Sequence, residues 1–291
     1  MASTGRQIGD LTIVRAVEII TPFDRAAFFP ETTPADWAPH ESWLKPKAMD
    51  PSGALLFPVQ SYLVRTAHHT ILIDSCVGNH KERPNRPAWH MKTDDTYMRA
   101  LAALGVAPEA IDFVMCTHMH SDHVGWNTRL VDGRWVPTFP NARYVFSRKE
   151  LEAWERGHPK FPRFPLEDSV LPVIAAGQAE LVTNDYALDD QVWLEPTLGH
   201  TPDHVAICLA SRGERAVMSG DVMHSPVQCL HPEWTAWPDW DAAQAKRTRR
   251  AFMERYCDTD TLVCTAHFPL PSAGRVVAKG DAFRFAFDGS W

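Results

Sequence analysis

Within six residues the chain carries four side chains able to hold a metal ion, in the run His118-Met119-His120-Ser121-Asp122-His123. A neutral imidazole is the commonest metal ligand among side chains, and a carboxylate adds a harder oxygen donor. The run follows a continuous apolar stretch over 111–116, which reads as a short strand buried on both faces. Residues i and i+2 at a strand end share a face, so His118 and His120 can grip one ion together. Asp122 and His123 lie beyond the strand, where the chain turns, and can present ligands to a second ion. Together these donors exceed what one tetrahedral ion needs from so short a segment. Gly125 is expected to free the backbone to leave the site.

This run alone supplies too few ligands for two ions. Later strand ends offer three more: His200 in Leu198-Gly199-His200-Thr201-Pro202, Asp221 in Ser219-Gly220-Asp221, and His267 after the apolar run 261–266. Each is a ligand-type residue placed where an apolar strand stops, which is where open sheets put their sites. A G-x-S-x-G elbow and a G-x-x-x-x-G-K-[ST] loop are both absent from the sequence, which removes two competing hydrolase chemistries.

The elements that must position these residues alternate between strand and helix. Strands are expected over 11–20, 61–66, 70–74, 111–116, 142–146, 191–194, 204–209, 216–219 and 261–266, and helices over 94–104 and 240–256. Ser147 with Glu150 three residues later has the form of a capping box opening a further helix. Strands interspersed with helices predict a mixed α/β architecture of layered sheets. No repeat or divided linker interrupts 1–291, so one domain is expected, with a proline- and aromatic-rich arm at about 28–58 that is too long for an ordinary connection.

Composition excludes several function classes. The formal charge of -7 offers no basic face to nucleic acid, and the basic cluster Lys246, Arg247, Arg249, Arg250 reads as a solvated helix face. The first ten residues are polar with no signal-like apolar stretch, and no run reaches the length of a membrane span. The six cysteines show no C-x-x-C pairing, and Cys116, Cys208 and Cys264 sit in apolar runs as buried thiols. A reducing cytoplasm is the expected location.

With H-x-H-x-D-H, a histidine in G-H-T-P, a strand-end aspartate and a final histidine all in place, the chain resembles the metallo-β-lactamase-fold hydrolase superfamily over 11–268. The resemblance implies a four-layer αββα sandwich with two mixed β-sheets and a site along one edge. It implies two divalent ions, zinc by preference with iron, manganese or cobalt also acceptable to such ligands. One ion would be held by His118, His120 and His200, the other by Asp122, His123 and His267, with Asp221 bridging. Asp74, ending an apolar strand, would orient a ligand. Two such ions share a bridging hydroxide that attacks an electrophilic carbonyl or phosphorus.

The stretch 220–228 resembles the branch of quorum-quenching lactonases and methyl parathion hydrolase-like proteins. Many acyl-homoserine lactonases of that branch carry a tyrosine three residues after the bridging aspartate; this chain has His224, which could donate to a substrate oxygen instead. Asp122 and His224 are therefore the expected catalytic residues. A second departure is Asp203, where many relatives have glycine, with His204 beside it as a loop anchor. The leading expectation is hydrolysis of a lactone or related ester on a small molecule. An aryl or organophosphate ester hydrolase or a hydrolytic dehalogenase on the same centre comes next, and a non-catalytic metal scaffold is a remote alternative. Trp37, Trp43, Trp126, Trp234, Trp237 and Trp240 fall in loops or near element ends, where they line an apolar pocket, pack the loops, or meet a second copy in a homodimer. Trp126, just past the metal run, is the expected pocket wall.

Overall fold

Residues 5–289 are described by a computed structural model; residues 1–4, the start of the polar N-terminal stretch, and 290–291 lie outside the described residues. The chain forms two compact units. Unit one comprises the chain up to Ile19 with Val59–Tyr186, and unit two comprises Ile20–Pro58 and the chain from Ala187 onward.

A seven-stranded sheet runs in chain order through Arg6–Ile8, Leu11–Phe23, Leu55–Arg65, Thr70–Ile73, Phe113–Met115, Arg143–Ser147 and Ala179–Val182. Its first pair and the pair Leu55–Arg65 with Thr70–Ile73 are antiparallel, and the last four strands are parallel to one another. Parallel strands place their C-terminal ends side by side, so Asp74 emerges next to the start of the histidine run: its N–H donates to Met115 O at 3.0 Å. Leu55–Arg65 is buried at nearly every position, as a strand covered on both faces must be.

Unit two holds a six-stranded sheet, again in chain order: Val192–Pro196, Val205–Ser211, Glu214–Met218, Leu262–Cys264, Ala273–Lys279 and Ala282–Phe287. Only Glu214–Met218 and Leu262–Cys264 pair in parallel. Both sheets are thus mixed, as expected, and the last two strands are ones the sequence reading missed. The helix Ala242–Tyr256 opens on Asp241, whose side chain accepts from Gln244 N at 2.9 Å. It buries Ala245, Arg249, Phe252, Met253 and Tyr256, a stripe at helical spacing. Arg249 is therefore an interior residue, and only its neighbours form the solvated face predicted for all four basic residues.

The proline- and aromatic-rich stretch folds onto unit two through short helices at Arg25–Phe28, Pro34–Trp37 and Glu41–Leu44. Phe28, Phe29, Trp37, Leu44, Leu55 and Phe57 form one buried cluster with Val227 and Ala236, and Trp234 packs against it. Trp37 thus packs the core, whereas Trp43 is 45% exposed. Ser147 caps the helix Arg148–Arg156, its side chain accepting from Glu150 N at 3.2 Å, and Glu150 is buried. The Glu150 carboxylate also accepts from Trp154 Nε1 (2.9 Å) and Met119 N (3.3 Å).

Unit one also contains a buried lysine. Lys81 donates to Thr128 Oγ1 (2.6 Å) and Asp168 O (2.9 Å) and lies 3.5 Å from the centre of the Trp135 ring. Arg83 clamps the Asp168 carboxylate with two bonds of 2.7 and 3.0 Å. Burial pushes the Lys81 amine down to about 7, against the pull of Asp168. Between that value and the ordinary 10.5 the unfolded chain binds the proton and the folded chain does not, so this group makes stability rise with pH over that window. Lys81→Met should remove up to about 1.4 kcal/mol per pH unit from the slope of unfolding free energy between pH 7 and 10. Denaturant melts of both proteins across that range test it, and identical slopes would refute it.

Among the described residues no helix is long and apolar enough to cross a membrane, and all six cysteines are free thiols.

Candidate metal centre

In unit one the candidate metal-ligand run begins at His118, three residues beyond Met115 of Phe113–Met115. Thr117 is pinned to Asp74, donating from its N–H (2.8 Å) and from Oγ1 (2.9 Å to Oδ2). The same Asp74 Oδ2 accepts from His123 Nδ1 at 2.8 Å, which turns His123 Nε2 away from the carboxylate. His118 Nε2 lies 3.0 Å from His120 Nδ1, and the His118 and His123 rings are 4.0 Å apart. Asp122 Oδ2 lies 3.9 Å from His123 Nε2. His118, His120 and His123 are buried and Asp122 is half-buried. Trp154 and Phe161 stand against the His120 ring, with centroids 5.7 and 5.1 Å away.

The four residues fall at the entry to the short helix Ser121–Val124, with His120 as its N-cap. Gly125 closes it with ordinary helical angles (φ -58°), so it is not there for backbone freedom. A Cβ on it would sit 1.8 Å from Val77 O; glycine is required because the loop after Asp74 passes directly over it. Trp126, the expected pocket wall, is buried. Its indole donates to Glu18 Oε1 at 2.8 Å and stacks on Tyr97, inside unit one.

In unit two, Asp221 is the hub. Its Oδ2 lies 3.2 Å from His200 Nε2, and its Oδ1 lies 3.1 Å from His267 Nε2. His200 follows Val192–Pro196, Asp221 follows Glu214–Met218 and His267 follows Leu262–Cys264, so all three occupy strand ends as the sequence indicated. His204 anchors the loop as expected: its Nε2 accepts the Asp221 N–H (2.9 Å) while Nδ1 meets Thr197 Oγ1 (2.8 Å). Gly199 at φ +124° allows the chain to turn into His200, and a Cβ there would strike the backbone of Ala245. Asp203 is buried and is not among the residues with positive φ, so the glycine of relatives is not needed for a left-handed turn here.

His200 Nδ1 is held by Asp239 Oδ1 (2.9 Å) and His267 Nδ1 donates to Pro58 O (2.8 Å). Like His123, these histidines are oriented by an oxygen at Nδ1 and present Nε2, the arrangement that metal-binding histidines adopt. The electrostatics agree. Burial pushes the His200 imidazole down, but hydrogen bonds and charge from Asp221 and Asp239 hold it up at about 9. A corner that favours a proton so strongly also favours a metal cation. Asp239 was missed by sequence reading; burial raises its pKa, but His200 and Arg249 outweigh this and hold it below the ordinary carboxylate value.

His224 is 2% exposed, and its Nε2 lies 3.2 Å from Asp221 Oδ2. Neither ring nitrogen meets a partner in hydrogen-bond geometry. Phe28 packs edge-on at 5.1 Å and the His267 ring stacks at 5.8 Å. Burial pushes its pKa down to about 4, against the pull of Asp221.

Residues 54–267 match the Metallo-beta-lactamase superfamily. An N-acyl homoserine lactonase of Bacillus cereus is 24% identical over 182 residues, which cover 58% of this chain and 65% of the relative. The chain thus spans just under two thirds of the length of the curated relatives it matches. AidC, a dizinc quorum-quenching lactonase solved with the product N-hexnoyl-L-homoserine, aligns with a TM-score of 0.80 at 20% identity, covering 98% of this chain and 97% of that one. The hydrolase AbOPH of the beta lactamase superfamily aligns with a TM-score of 0.81 at 24% identity over the same shares. Such likeness shows a shared fold. With the superfamily match spanning well over half of its length, the chain belongs to the metallo-β-lactamase superfamily.

Proposed function

We propose that the ligand sets of the two units together hold two divalent ions, and that the protein is a metal-dependent hydrolase opening a lactone or related ester. The two units would then work as a single catalytic domain, 1–291, with the stretch at about 28–58 as its arm. The observation that carries this reading is the split of the Asp221 carboxylate, one oxygen toward His267 and the other toward His200, as a bridging ligand requires. His118, His120 and His200 would complete one ion, and Asp122, His123 and His267 the other. Nitrogen and oxygen donors in this number suit zinc. Ions so held lower the pKa of water and polarise the oxygen of a bound ester.

The chain's own residues supply the rest. Asp74 and Asp239 fix the rings of His123 and His200, and His204 fixes the backbone of Asp221. Asp122, half-buried beside His123, is the carboxylate best placed to accept a proton as the ester is attacked. His224 offers a neutral N–H donor to the substrate oxygen. The lactonases among the relatives support an acyl-homoserine-lactone-like substrate. Aromatic rings beside site histidines in both units, Phe161 and Trp154 at His120 and Phe28 at His224, also suit the aryl group of an aryl or organophosphate ester, the second reading. The free, mostly buried thiols fit a cytoplasmic enzyme.

Metal analysis coupled to a panel of lactones, aryl esters and phosphotriesters tests the proposal. A metal-loaded protein that turns over none of them would end it. His224→Ala should lower kcat by about 10²–10³, the usual effect of removing one oxyanion donor, with both ions retained. Loss of an ion in that variant would make His224 a ligand rather than a donor.

A further inference from the structure

The guanidinium of Arg249 is buried to 1% exposure in the middle of the helix Ala242–Tyr256, and it makes four hydrogen bonds there. Nε donates to Val222 O (2.8 Å), and Nη1 donates to both Pro232 O (2.9 Å) and Trp234 O (2.8 Å). Nη2 reaches Asp239 Oδ2 at 3.3 Å. Asp239 passes this contact on: its other oxygen holds His200 Nδ1 at 2.9 Å, and its Oδ2 also accepts the Ala236 N–H at 3.0 Å. Val222 is the residue after Asp221. One side chain therefore grips the backbone beside the hub carboxylate and, through Asp239, the imidazole 3.2 Å from that carboxylate.

The helix and the two residues leading into it hold the same loop at further points. Thr248 Oγ1 donates to Leu198 O (2.6 Å), Asp241 N donates to Gly199 O (3.0 Å), and Trp240 N donates to His200 O (3.0 Å). These contacts fix the main chain around His200, and none of them sets the rotation of its ring. Asp239, a buried carboxylate with Arg249 as its cation, holds that ring at Nδ1. A planar fork with donors on three nitrogens is needed to reach Val222, Pro232, Trp234 and Asp239 at once, and the compact ammonium of lysine cannot do this.

We infer that Arg249 is a positioning residue of the metal centre, acting on His200 through Asp239. The inference rests on the two-ion reading above. It assigns the Arg249–Asp239 pair to one ion only, the one held by His200. His267 is oriented separately, by Pro58 O, and His123 by Asp74.

Arg249→Lys keeps the charge and loses the fork, while Asp239→Asn keeps the shape and loses the charge. Metal-free wild type and both variants are titrated with Co²⁺ alone, reading the d–d absorption of each bound ion and its affinity. Melting of the metal-free proteins is followed in parallel. The expected result is that one of the two ions binds about 10–100-fold more weakly in both variants, with altered absorption, while the other binds as in wild type. Should Arg249→Lys fail to fold, Asp239→Asn decides alone. Wild-type cobalt affinity and absorption with only a lowered melting temperature would overturn the inference, leaving Arg249 a purely structural clamp. Failure of wild type to take up cobalt overturns the two-ion reading and this inference with it; uptake by wild type with indifferent variants overturns this inference alone.

Discussion

Asp221→Ala is expected to release at least one of the two proposed ions and to lower kcat/KM by about 10³-fold or more. The magnitude follows from what is removed. A carboxylate bridging both proposed ions would neutralise charge at each, and metal-based charge stabilisation is worth several kcal/mol in such reactions, at about 1.4 kcal/mol per tenfold. The geometry makes the variant a clean probe. Asp221 is held in the chain by its own N–H, which donates to His204 Nε2, and alanine retains that bond. The fold around the site should therefore survive, with unchanged circular dichroism, so lost turnover would report lost metal rather than lost structure. Asp221→Asn, which keeps the size and one acceptor oxygen, should fall between. Retention of two ions with full activity in Asp221→Ala would sink the bridging role and the two-ion centre with it.

The candidate ligands were legible in the sequence because strand ends are. An apolar run that stops at a histidine or aspartate is visible locally, and His118, His200, Asp221 and His267 all follow such runs; Asp74 does too. What orients them was less legible, because it comes from far along the chain. Asp239 reaches His200 from 39 positions away and sits in a loop with no periodicity to mark it. Arg249 was misread because its neighbours Lys246, Arg247 and Arg250 set the impression of a solvated face. Its spacing from Ala245, Phe252, Met253 and Tyr256 was the available signal that it faces inward. Gly125 looked like a point of backbone freedom, yet it answers to Val77, whose approach no local pattern announces. The strand Ala282–Phe287 could have been found, since Phe283 and Phe285 alternate with exposed or half-buried positions as a half-covered strand does.

Removal of metal should abolish turnover while leaving the protein folded but less stable, and zinc or cobalt should restore both properties. A site that folds only around its ion loses structure on chelation, as small zinc domains do. Here the ligands are held without it: Asp74 fixes His123, Asp239 fixes His200, Pro58 O fixes His267, and both sheets have large cores of their own. Circular dichroism of the chelated protein should accordingly match that of the loaded protein. Stability is a separate matter, because an ion that binds only the folded chain adds about 2.7 kcal/mol when free metal stands at a hundred times its Kd, and two ions add about twice that. Melting temperature should therefore climb with zinc concentration well past the point at which activity saturates. The same mass action predicts, for any variant that weakens one ion, a larger melting-temperature deficit in zinc than in chelator. Full turnover after exhaustive chelation would refute metal dependence, whereas collapse of the far-ultraviolet spectrum would refute the preformed site.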